Sequence, residues 1–160
     1  MQYDEWTFYQ TRFKRDYRCC DANIAGTKAM DILALAPDGR TLWMIEAKDY
    51  RRHKRTKTIT IWDEVAQKAR DTLAGLFAAS INANNSSEQT FARASLKLRR
   101  IRVVLHIEQP RKPSKLFPMS TTKANLKMKL KKQLHGTIDA HPIVMDCNDI
   151  VLGWSTAWTP

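Results

Sequence analysis

Hydrophobic residues recur along the 160-residue chain with two periods, one helical and one extended. Trp6, Tyr9, Phe13 and Tyr17 are spaced by three or four, which places them on one face of a helix over about Asp4 to Arg18. The same spacing returns at Ile61, Val65, Ala69, Leu73, Leu76 and Phe77 and predicts a long helix ending near Asn82. Leu126, Leu130 and Leu134 mark a third helix. Between these lie short apolar runs that read as strands: Lys28 to Ala36, Thr41 to Lys48, Arg99 to Glu108 with basic residues at its entrance, and Ile143 to Cys147. Asn82 to Gln89 (NANNSSEQ) reads as a surface loop, and Pro110, Pro113 and Pro118 punctuate the connection to the last helix. No internal repeat or flexible linker divides the chain, so residues 1–160 are expected to form a single α/β domain. The element order predicts a mixed β-sheet flanked by helices.

The first two strands carry the informative chemistry. With Asp38-Gly39 at the turn between them, facing residues have numbers summing to 77, so Asp31 faces Glu46. Alternation then puts Lys48 on the same side as both carboxylates. Leu33, Leu35, Leu42 and Met44 share that side, while Ile32, Ala34, Trp43 and Ile45 occupy the other. A hairpin apolar on both faces is covered on both faces. Opposed carboxylates there repel and are costly to ionise, so a positive group must compensate. Lys48 is one candidate and a hard divalent cation is the other. A salt-bridged cluster at a strand end is the simpler reading of the same residues.

Charge narrows the partner. Lys and Arg number 27 against 16 Asp and Glu, a formal charge of +11 with a sequence pI near 9.8. That excess favours a polyanion, with nucleic acid ahead of an anionic membrane. A hydrophobic fraction of 43% excludes wholesale disorder. No apolar run is long enough to span a bilayer, and the polar, aromatic first residues do not resemble a signal peptide, so a soluble cytoplasmic protein is expected. Cys19, Cys20 and Cys147 and the four histidines show no zinc-ligand spacing.

Asp31, a turn, and then Glu46-Ala47-Lys48 on the returning strand resemble the core signature of the PD-(D/E)xK nuclease superfamily, although Ala29-Met30 stand before Asp31 where that name has a proline. The resemblance implies a restriction-endonuclease-like core of helix, three strands, helix and strand, here with an added C-terminal helix and strand. It also implies a Mg²⁺-dependent (or Mn²⁺-dependent) phosphodiesterase cleaving DNA, an endonuclease rather than an exonuclease, in defence, repair, recombination or mobile-element processing. Asp31, Glu46 and the Ala47 carbonyl would hold the metal, and Lys48 would position the attacking water. Glu5 and Gln67 would be auxiliary residues. Small members of that superfamily often form homodimers or join larger assemblies, and the apolar segment from Val151 to Trp158 could make such a contact.

Tyr50, Arg51, Arg52, Lys54, Arg55 and Lys57 follow directly and could wrap a phosphate backbone, with Tyr50 stacking on a base or sugar. Lys123, Lys127 and Lys131 form a second basic face, which reads more simply as a solvated helix surface. The alternative to an enzyme is a non-catalytic nucleic-acid-binding or adaptor subunit on the same fold.

Overall fold

A computed structural model describes residues 1–13, 27–52, 55–110 and 121–149. Four strands form one sheet in the spatial order β1-β2-β3-β4: β1 (Ile32–Leu35), β2 (Thr41–Asp49), β3 (Arg100–Glu108) and β4 (Ile143–Met145). β1 and β2 are antiparallel, whereas β2, β3 and β4 run parallel. Three α-helices accompany them: α1 (Ile61–Asn82), α2 (Ser86–Ser95) and α3 (Lys123–Leu134). The fold is therefore α/β with a mixed four-stranded sheet, as the pattern predicts. Only two strands precede α1 among the described residues, where the resemblance implies three.

Alternation along the strands builds the core. Leu33, Leu42, Met44, Val103, Leu105 and Ile107 share a face, and they are buried in one cluster with Ile61, Val65, Ala69 and Leu76 of α1 and Leu126, Leu130 and Leu134 of α3. The opposite face holds a smaller cluster of Ile45, Val104 and Met145, with Trp43 and Ile143 against it.

The hairpin register is the expected one, pairing Ile32 with Ile45 and Leu35 with Leu42. Its turn differs in detail. The Gly39 N–H donates to the Ala36 carbonyl (3.0 Å), so the tight turn spans Ala36 to Gly39. Gly39 closes it at φ +61°, a conformation that other L-residues adopt only with strain. The register survives because the four residues between Ala36 and Thr41 are centred on the same point, and the Ala36 N–H still donates to the Thr41 carbonyl (2.9 Å).

Two segments depart from the sequence-based expectation. The N-terminal region has a π-helical turn over Tyr9–Phe13 rather than a long α-helix from Asp4. Two of the spaced aromatics, Trp6 and Tyr9, are nonetheless buried, together with Tyr3, whose ring meets that of Trp6 edge to face. Tyr17 lies outside the described residues, as does the segment from Val151 to Trp158. The stretch expected to be a loop is one only over residues 83–85, and from Ser86 it is α2: the Asn85 side chain caps the helix by accepting from the Ser87 and Glu88 amides. Asn and Ser here are helix-starting residues, a role that a simple polarity reading does not separate from loop formation.

Glu88 ties these two segments together. Its carboxylate is buried and accepts from the Thr7 (2.7 Å) and Phe8 (3.1 Å) amides, the donors that a helix start leaves unsatisfied. Glu88→Ala strands both amides, and the expected loss is about 2 kcal/mol in urea denaturation. An unchanged midpoint would show that the N-terminal turn contributes nothing to stability.

Candidate functional site: a carboxylate–lysine cluster at the open end of the hairpin

Asp31 sits one residue ahead of β1, where β2 continues beyond its partner. The Ala47 N–H would have no strand to pair with there, and it donates to Asp31 Oδ2 (2.8 Å). Asp31 and Glu46 thus face the same side, as the register requires. Glu46 is completely buried. Lys48, two residues along and therefore on the same face, places its ammonium 2.5 Å from Glu46 Oε1.

A fourth member comes from α1. Lys68 lies one turn beyond Glu64 on the helix face that carries Ile61, Val65, Ala69 and Thr72. Its Nζ is 2.6 Å from Glu46 Oε1 and 3.1 Å from Asp31 Oδ1, so it bridges the two carboxylates. Two carboxylates and two ammonium groups leave the cluster formally neutral. Burial, and secondarily the Asp31 charge, push the Glu46 carboxyl above its usual range, against the pull of Lys68 and Lys48. Lys68 holds its proton more tightly than an ordinary lysine: burial opposes the charge, but Glu46 and Asp31 outweigh it.

Asp31 and Glu46 offer the oxygen donors a hard cation prefers, and Glu46 Oε2 is a buried acceptor with no hydrogen-bond partner among the described residues. A divalent ion held by Asp31 and Glu46 would polarise a bound water. It would also have to displace Lys68 from the oxygens that the ammonium already occupies. Among the described residues no group of three or more His, Cys, Asp or Glu side chains could hold a metal.

The remaining nominated residues are dispersed. Glu5 is exposed and bonds to none of these groups. Gln67 accepts a hydrogen bond from Lys28 Nζ (3.0 Å) instead of joining the cluster. The basic run after Lys48 is largely committed to internal bonds. Arg51 is paired in two bonds with Asp49, 3.0 and 2.7 Å long. Arg55 donates to Glu64 (2.7 Å) and to the Tyr50 hydroxyl (3.1 Å), and Lys57 also pairs with Glu64. Tyr50 packs against the core, and Arg52 is exposed. Lys54 lies outside the described residues.

Sequence reasoning missed Lys68 and Glu64. Both interrupt the apolar face of α1, and a charge inside such a stripe is the signal that could have found them.

Comparison with known proteins corrects the expected identity. No protein-family model and no solved structure matches the chain. A segment of 109 residues is 41% identical to a cysteine--tRNA ligase of Neisseria meningitidis serogroup A / serotype 4A (strain DSM 15465 / Z2491). The match takes in 63% of this chain and only 15% of the ligase. The chain is thus similar to part of an enzyme, and that enzyme is a tRNA ligase. The resemblance to PD-(D/E)xK nucleases, and with it the reading as a DNA-binding, DNA-cleaving endonuclease, is overturned by this finding. The structure supplies a physical reason for the error. The hairpin alone offers one positive charge beside the two carboxylates, whereas Lys68, 22 residues beyond Glu46, contributes the second.

Two expectations follow. Lys68→Ala leaves the carboxylate pair with one ammonium and should cost about 3 kcal/mol in denaturant unfolding. Addition of Mg²⁺ to about 10 mM should recover part of that loss in the variant but not alter the wild type. A loss below about 1 kcal/mol would show that Lys68 does not hold the pair together. The second concerns acid. Burial would raise the Glu64 carboxyl, but the hydrogen bonds from Lys57 and Arg55 prevail and bring it from 4.5 to about 2. Its folded value is depressed, so its contribution is complete above pH 4.5 and is lost as pH falls toward 2. Discounted for the exposed Lys57 partner, that contribution is about 2 kcal/mol. Stability measured across this range should fall less steeply in Glu64→Gln than in the wild type; identical slopes would refute the pairing.

Proposed function

We propose that this domain is an RNA-binding module that serves tRNA aminoacylation, engaging tRNA through its basic surface. The observation that carries this reading is the 41% identity to a segment of a cysteine--tRNA ligase. The +11 charge supports it, because a polyanionic partner gains affinity from every phosphate that Lys or Arg neutralises. The segment is a small part of the ligase, which suits an accessory unit that holds the RNA, with the ligation chemistry residing elsewhere. The neutralised Asp31–Glu46–Lys48–Lys68 cluster then acts as a rigid clamp between the hairpin and α1 that keeps the surface in shape.

Fluorescence anisotropy with labelled tRNA and with a DNA duplex of equal charge tests the reading. Tighter binding to tRNA is expected, weakening by at least tenfold between about 50 and 200 mM salt. Equal or tighter binding to the duplex would defeat the assignment to RNA. Absence of binding at low salt would defeat the nucleic-acid reading altogether and leave an adaptor role.

A further inference from the structure

A group of unpaired positive charges lies at the opposite end of the sheet from the carboxylate–lysine cluster. There the hairpin turn meets the entrance to β3: the amides of Arg99 (3.0 Å) and Arg100 (3.1 Å) both donate to the Arg40 carbonyl. Three arginines are therefore drawn together by backbone bonds that leave their side chains uncommitted. Arg40, Arg99 and Arg100 are exposed, and none of their guanidinium groups has a hydrogen-bond or ion-pair partner among the described residues. That contrasts with Arg51, Arg55 and Lys57 in the expected basic loop, all of which are held by carboxylates.

Arg99 and Arg100 also border a groove of about 410 Å³ that continues along Arg102 to His141. Its one carboxylate, Asp139, is turned inward. Asp139 is 5% exposed and accepts from the Val103 (2.8 Å) and His141 (2.8 Å) amides as well as from Arg102 Nη1 (3.4 Å). Arg102 uses that same nitrogen to reach the His141 carbonyl (2.9 Å), so its Nε and Nη2 have no partner among the described residues. Asp139 thus orders the groove and orients Arg102, while the groove keeps a positive excess.

We infer that this arginine groove, lined by Arg99, Arg100 and Arg102 and flanked by Arg40 through its backbone bonds to the first two, is the surface that docks the phosphate backbone of RNA. The inference rests on the proposed RNA-binding function and locates it. Guanidinium groups suit the task because their planar donors pair with two phosphate oxygens at once. A cluster of three or four at one sheet end spans neighbouring phosphates of one strand. The groove contains no set of amide side chains for reading base edges, so recognition follows backbone shape.

The test compares the full chain with three variants: Arg99→Ala/Arg100→Ala, Arg52→Ala in the basic loop, and Lys127→Ala/Lys131→Ala on α3. Labelled tRNA is titrated at several salt concentrations. Thermal melting of each variant is expected to match the wild type, because only side chains without partners are removed. The Arg99/Arg100 variant should bind roughly tenfold to a hundredfold more weakly at low salt, with its salt slope reduced by about 2. The other two variants should stay within about twofold of the wild type at moderate salt. If the arginine variant binds like the wild type, or if the loss follows Arg52 or the α3 lysines, the groove assignment fails while RNA binding stands. If the wild type itself binds no RNA, both readings fail.

Discussion

A carboxylate with no access to water, Glu46, is the constraint around which this domain is arranged. Burying one acid in the middle of an apolar sheet face is expensive, and a second acid across the hairpin makes it more so. The cost is met by Lys48 on the same strand and Lys68 on α1, which converge on one oxygen of that carboxylate. The ion pairs fix how α1 lies across the hairpin, because a helix shifted by one residue would carry Lys68 off the face that meets the sheet. The apolar contacts of Val65, Ala69 and Leu76 with the strands could tolerate such a slip far better than the charges can.

Glu64 repeats the arrangement one turn earlier. Its buried carboxylate draws Arg55 and Lys57 back onto the start of α1, so the loop leaving β2 folds against the helix instead of standing in solvent. Buried acids on the sheet side of the molecule thus consume most of the nearby positive charge. At the turn end of the sheet arginines stay exposed and uncommitted, because Asp139 directs its bonds to backbone amides and a single guanidinium nitrogen.

Much of the fold was legible because its signals are local. The period of α1 places it within a residue of its observed span, and the sum of residue numbers across the hairpin predicts the pairing of Asp31 with Glu46 even though the turn is built differently. The helix α2 was not legible, because Asn85 and its serines serve equally well in loops and in caps, and only tertiary contacts such as Glu88 with Thr7 decide between them. The cluster was half legible. Three of its members sit within 18 residues of one another on the hairpin, but Lys68 arrives through the packing of a helix, which no pairing rule reports. The missing lysine made a metal ion look necessary and pulled the functional reading toward hydrolysis. Arg99 and Arg100 are visible in the sequence as the basic entrance to β3, but their grouping with Arg40 is not, because only the parallel pairing of β2 with β3 brings the two runs together.

The edge of the sheet at β1 has a consequence of another kind. Exposed edge strands present unpaired amides and carbonyls that invite pairing with a second chain. Here Met1 to Tyr3 lie antiparallel along β1, with the Leu33 N–H donating to the Met1 carbonyl (2.8 Å) and the Tyr3 N–H to the Asp31 carbonyl (3.0 Å). At the other edge β4 is only three residues long. Among the described residues the sheet therefore offers little open backbone to template aggregation, which matters for strands that bury apolar residues on both faces. Loss of those first three residues would uncover the one flank of β1 that could recruit a stray strand.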